Sequence, residues 1–312
     1  MSGVRLHRKA AVHFVTNRCL QERLLLLPRS KTNALILEWL AKALSFVDGG
    51  VELFAFIFLS NHFHLLLRDN SGRLAEFMGY FQGNLAKAVN KELSRRGKFF
   101  GREYDDVLLD GDEDLLDRYA YILCNAVKAG LVQRADDWRG ISSLDLALSG
   151  EALQIGAVNW TKLHNATRRG QKVDRADFVE QHELRVSPPP AWAALQHGER
   201  AKLTRQLVAT WEAHFNSLRG NKPALGMKKV FAQSPTSRPL DSSFRPRVKV
   251  FARDPNRREE LLEGYRTHVS AYRTTLQAFL KAAQLGRRPA VEWPAWAYPP
   301  SSAIPIGFGR AV

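Results

Sequence analysis

Two short segments hold residues whose types and spacing can do chemistry. The first is Ser60-Asn61-His62-Phe63-His64-Leu65-Leu66-Leu67-Arg68. In an extended strand successive side chains alternate between faces. His62 and His64 therefore share one face, and Phe63, Leu65 and Leu67 share the other. Two neutral imidazoles side by side can share a divalent cation. A hydrogen-bonded surface pair would look the same in sequence, so the motif alone decides little. Support comes from the second segment, 112–129. Stepped at 100° per residue, Leu115, Leu116, Tyr119, Ile122, Leu123, Ala126 and Val127 form an apolar stripe. Asp114, Arg118, Tyr121, Asn125 and Lys128 fall on the opposite side. Tyr119 sits mid-stripe and reads as core. Tyr121 points away from it, one turn from Asn125, with two cations beside it. A phenol so placed is a candidate nucleophile or ligand.

These segments need a scaffold, and the first half of the chain spells one. Residues 10–17 read as a strand, and 33–46 as a helix stopped by Asp48-Gly49-Gly50. Residues 51–58 and 62–68 read as a hairpin turned at Ser60-Asn61. A long helix follows over 73–95, then a short strand over 106–109, then the helix 112–129 closed by Gly130. The order β-α-β-β-α-β-α predicts an α+β fold with a ferredoxin-like, split-βαβ sheet. The second half predicts helices over 201–218 and 257–283, a small helical pair over 220–233 and a strand over 245–251. A Pro- and Trp-rich tail occupies 286–312. Two regions are thus expected: 1–150 carrying the chemistry, and 151–312 a basic, mainly helical extension.

The motifs are familiar in combination. His62-Phe63-His64 resembles the histidine–hydrophobic–histidine (HUH) motif of single-stranded DNA endonucleases. Tyr121-Ile-Leu-Cys-Asn125-Ala-Val-Lys-Ala-Gly130-Leu-Val resembles the tyrosine segment of REP-associated tyrosine transposases, single-tyrosine relatives of insertion-sequence transposases. Val12–Arg18 resembles their first strand, and Trp138 with Ser142-Ser143 resembles the segment after their catalytic helix. Ala126 departs from the pattern, which has proline there. The resemblance spans residues 5–145. It implies that His62, His64 and Asn125 bind Mg²⁺ or Mn²⁺, and that Tyr121 attacks a phosphate to form a 5′-phosphotyrosine. Folded single-stranded DNA, such as an imperfect palindrome, is the implied substrate. Arg18, Arg68, Arg102, Arg118 and Lys128 are candidate DNA contacts in the first half.

Charge points the same way. Of 312 residues, 46 are Lys or Arg and 31 Asp or Glu, a net charge of +15. Residues 1–150 are nearly neutral, with 20 basic and 18 acidic residues, whereas 151–312 hold 26 and 13. A basic second half suits a polyanion. Lys228, Lys229, Arg245, Arg247 and Lys249 are its candidate phosphate contacts, with Arg168-Arg169, Arg257-Arg258 and Arg287-Arg288 as further clusters. An ordinary composition, 45% hydrophobic and 25% charged, excludes a disordered chain. Two cysteines argue against a disulfide framework or thiolate zinc site. No apolar run suggests a membrane span or secretory signal, so a cytoplasmic, nucleoid-associated protein is expected. Oligomeric state stays open between monomer and homodimer. Two other readings keep the fold without the chemistry. One is a nucleic-acid-binding sheet that stacks bases on Phe14, Phe54, Phe56 or Phe58. The other is a domesticated regulator.

Overall fold

The computed structural model describes residues 9–239, 249–285 and 291–294. Its elements in chain order begin β1 (Ala11–Arg18), α1 (Ser30–Val47), β2 (Val51–Phe58), β3 (His62–Asp69), α2 (Leu74–Glu92) and β4 (Asp105–Leu109). There follow α3 (Asp112–Leu123), α4 (Asn125–Lys128), α5 (Leu144–Ser149), β5 (Leu153–Val158), α6 (Trp160–Arg168) and β6 (Val179–Leu184). The chain continues through α7 (His197–Arg219), α8 (Met227–Ala232), β7 (Val250–Phe251) and α9 (Pro255–Gln284).

The main sheet has the order β2-β3-β1-β4-β7. Its first four strands are antiparallel neighbours in the split-βαβ arrangement expected. β7 adds a fifth strand, parallel to β4. Strand alternation sorts β3 cleanly. Phe63, Leu65 and Leu67 join the core beneath α1 and α2, with Ile36, Leu40, Phe77 and Phe81. Leu66 points the other way, into a second core with Phe14, Phe54, Ile122, Leu123 and Val127. His62 and His64 are in phase with Leu66 and so face α3. Asp69, fully buried at the end of β3, accepts from the backbone N–H groups of Arg73 and Leu74, at 2.8 and 3.2 Å. It caps α2 and fixes that end of the strand. Helices cover both faces of the sheet. Of the four rings that the base-stacking reading named, Phe54, Phe56 and Phe58 are buried to within 1% exposure and Phe14 to 8%, so none offers an open stacking face.

The segment 112–129 is not one continuous helix. It breaks at Cys124 (φ −99°, ψ 10°), and α4 is a single further turn. The break is tied down from outside, where the Cys124 thiol donates to the Val208 carbonyl of α7, 3.6 Å away.

The second half packs against the first. Val208, Phe215 and Val230 belong to the same core as Leu123 and Trp138. Leu225 and Gly226 donate backbone hydrogen bonds to Gly130 and Leu131, at 2.8 and 2.9 Å. The β5–β6 hairpin lies on α1, where the Lys42 ammonium donates to the Val158 carbonyl at 3.0 Å. Two expectations change here, and one hairpin is added. The span 220–233 holds one helix, α8, because Leu225 and Gly226 are engaged by the turn after α4. Only Val250 and Phe251 of the strand expected over 245–251 pair with β4, while 240–248, and with it Arg245 and Arg247, falls outside the described residues. The β5–β6 hairpin and α6 had no clear signature, since both strands are short and largely solvent-facing, with Leu153 and Val179 exposed beside polar residues. Among the described residues no helix is long and apolar enough to cross a membrane.

Candidate active site

β1 and β3 lie side by side with Thr16 opposite His64 and Arg18 opposite His62. The two imidazoles meet edge to face, their centroids 5.0 Å apart. His62 is held by its neighbour in the turn, its Nδ1 lying 2.6 Å from Asn61 Oδ1. An amide oxygen only accepts, so Nδ1 carries the proton and Nε2 is left as a bare lone pair. His64 stacks on Phe14 at 5.1 Å, and its buried Nδ1 has no hydrogen-bond partner among the described residues.

α3 brings Tyr121 onto this pair. Its ring lies edge-on to His64 at 5.6 Å and to Phe14 at 5.9 Å. The Lys128 ammonium donates to the Tyr121 hydroxyl at 3.0 Å, reaching back from the last turn of α4. Arg118, one turn earlier, lies 5.6 Å from the Tyr121 ring centroid. Asn125 is buried at the head of α4, four residues past Tyr121. Tyr119 is 2% exposed on the other side of the helix, packed edge-on against Trp192 at 5.8 Å. The opposite facing of the two tyrosines follows from their two-residue offset, about 200° around a helix.

The electrostatics keep both histidines neutral. Removal from water pushes His62 down to about 3, with the Arg18 and Lys128 charges adding to it. Burial holds His64 well below the ordinary imidazole range, helped by His62, Lys128, Arg18 and Arg118. Neutral imidazole is the metal-binding form. Between the ordinary 6.5 and these lowered values the unfolded chain binds more protons than the folded one, so stability falls as pH drops through that window. Above it the pair contributes no pH dependence. The thermal midpoint should therefore fall from about pH 7.5 to about pH 5, and fall less in a His62→Gln/His64→Gln double variant. Melts at both pH values check this, and an equal fall in the two proteins contradicts it.

No family model matches the chain, and no curated protein matches it. A solved structure of a REP-associated tyrosine transposase bound to a REP hairpin is similar to part of it. That likeness covers 48% of this chain and 86% of the other, at 16% identity and a TM-score of 0.40. At that score the side-chain geometry, not the likeness, carries the functional reading.

The remaining expected site residues divide by position. Arg18 borders the histidines and pairs with Glu22 at 3.3 Å. Arg102 pairs with Asp105 at 2.8 Å, and its carbonyl accepts from the Asn17 amide. Arg68 is not brought to the histidines. It lies four residues along β3, paired with Glu52 at 3.0 Å and over the Phe54 ring. Lys228 and Lys229 are exposed on α8, which is tethered just beyond Lys128. The Lys249 carbonyl accepts from Leu108 at the sheet edge. Two aromatics matter more than their sequence context suggested. Phe14 is the floor under His64 and Tyr121, a placement that the β1–β3 register alone implies. Phe251, expected only as the end of a strand over 245–251 and a possible base-stacking ring, lies instead against Arg118 at 3.8 Å.

Proposed function

We propose that the chain is a metal-dependent DNA strand nuclease and transferase that acts on single-stranded, hairpin-forming DNA through Tyr121. The observation that carries this reading is the meeting, within one chain, of two neutral imidazoles and a phenol whose oxygen accepts from an ammonium. The donor set suits a divalent ion. His62 offers a bare Nε2, His64 has an unpartnered buried nitrogen, and Asn125 would add an amide oxygen. Bound there, Mg²⁺ or Mn²⁺ would polarise the scissile phosphate and offset charge on its oxygens.

The chain's own residues supply the rest. The Tyr121 oxygen attacks phosphorus in line, forming a Tyr–O–P bond as the P–O3′ bond breaks. The phenolic proton passes to water, and the departing 3′-oxygen gains one to become a hydroxyl. Lys128 holds negative charge on the phenol oxygen, while Arg118 presents positive charge toward the strand. The covalent bond conserves the phosphodiester, so rejoining to another 3′-hydroxyl needs no ATP. Lys228, Lys229, Lys249 and the Arg168-Arg169 pair would grip flanking phosphates. Within one chain Tyr121 packs against His64.

The test is incubation with labelled hairpin DNA and Mn²⁺, followed by denaturing electrophoresis. An SDS-resistant adduct is expected, lost with EDTA and restored by added Mn²⁺. No adduct with any divalent ion, on DNA the protein binds, overturns the reading. Tyr119→Phe should keep the adduct and change stability by less than about 1.5 kcal/mol, since the buried ring that packs on Trp192 is retained. Denaturant melts run beside the adduct assay check both halves, and a folded but inactive Tyr119→Phe chain would reassign the nucleophile.

A further inference from the structure

We propose that Phe251, delivered from the second half of the chain, is a positioning residue for this chemistry: it holds Arg118 as a flat fork for the reacting phosphate. This rests on Tyr121 being the nucleophile. Arg118 precedes Tyr121 by three residues, so the two side chains neighbour each other on one face of α3. The Arg118 guanidinium carbon lies 3.8 Å from the Phe251 ring centroid, against 5.6 Å from Tyr121 and 5.7 Å from Phe14.

The kind of contact matters. A guanidinium on an aromatic face is held through its π surface, and its N–H donors stay free in their own plane. No carboxylate among the described residues ion-pairs with Arg118. Its neighbours are spent differently: Arg18 on Glu22, Arg102 on Asp105, Arg253 on Asp117 and Arg257 on Asp110. The arginine nearest the nucleophile is thus oriented without its donors being used. A planar fork of free N–H groups fits two oxygens of a phosphate.

Phe251 is itself fixed by backbone and charge. β7 runs parallel to β4, and Leu108 donates to the Lys249 carbonyl at 3.0 Å. Two residues on, the Arg253 N–H donates to Asp114 at 3.1 Å and its guanidinium to Asp117 at 2.6 Å. Arg257 then reaches Asp110 at 2.5 Å. These contacts clasp the segment to the first turns of α3. They also occupy Asp114 and Asp117, the carboxylates that would otherwise compete for Arg118.

The test uses the full chain with Phe251→Leu, which keeps apolar volume but has no ring face, and Phe251→Tyr, which keeps the face. At saturating hairpin DNA and Mn²⁺, Phe251→Leu should form adduct about tenfold more slowly, with half-saturating DNA changed less than about threefold. Phe251→Tyr should match the unaltered chain. In an Arg118→Ala background Phe251→Leu should bring no further loss. Phe251→Leu at the unaltered rate overturns the proposal. So does Phe251→Tyr as slow as Phe251→Leu, or a Leu effect that persists without Arg118. If the unaltered chain itself forms no adduct, the Tyr121 reading falls first and takes this proposal with it.

Discussion

Replacing Tyr121 by Phe is expected to abolish the SDS-resistant adduct, a loss of more than about 10³-fold, while hairpin binding stays within about twofold. The substitution removes one oxygen. The ring contacts to His64 and Phe14 are made by carbon atoms and survive it, so neither the fold nor the floor of the site should change. What disappears is the atom that accepts from Lys128 and would bond to phosphorus. No other hydroxyl is offered in its place by α3, because Tyr119 faces Thr204 and Trp192 behind the helix. Adduct electrophoresis and a gel-shift titration on the same hairpin separate the two quantities. Undiminished adduct in the Phe variant would mean that another residue attacks, and a parallel loss of binding would mean that Tyr121 grips DNA rather than cutting it.

The pairing of His62 with His64 and the facing of Tyr121 in the candidate site were legible in sequence because those parts are local. Strand alternation alone puts His62 and His64 on one face, and a 100° step alone separates Tyr121 from Tyr119. The hairpin and the long apolar helices of the first half have strong periodicity because each buries a full stripe in one of two cores. Elsewhere the signal fails for physical reasons. β6 (VEQHEL) is mostly polar, and β5 (LQIGAV) is short, interrupted by Gly156 and half exposed, so neither shows the alternation of a half-buried strand. The break at Cys124 has no proline or glycine to announce it, and a carbonyl on α7 holds it. The partner of Phe251 is invisible because it depends on pairing between residues about 140 positions apart, which no window of local sequence contains. Net charge also does not tell which cations are already paired. Several arginines counted toward DNA contact, Arg68 and Arg257 among them, are committed to carboxylates within the fold.

A chain ending at Gly150 is expected to lose its fold, not only its grip on DNA. Charge alone suggests a division of labour, with chemistry before residue 150 and phosphate contacts after it. The packing joins what the charge separates. Val208, Phe215 and Val230 come from beyond the cut and lie in the core that holds α3 and α4 against the sheet. Leu184, fully buried, belongs to the core on the other face. Burial of an aliphatic or aromatic side chain stabilises by about 1.5–3 kcal/mol, so losing these four removes roughly 6–12 kcal/mol. A folded chain typically has only about 5–15 kcal/mol in all. The cut also removes β7, which covers the β4 edge, and α7, whose Val208 carbonyl receives the Cys124 thiol. The helix that carries Tyr121 would lose its outer support together with Phe251. The 1–150 fragment should accordingly show no cooperative thermal transition, bind a hydrophobic dye and form no adduct. A cooperative melt with adduct formation from that fragment would show that the first half is a self-sufficient nuclease and that the second half adds only affinity. In that case hairpin binding by the fragment should retain specificity but have a shallower dependence on salt than the full chain, because fewer counterions are released.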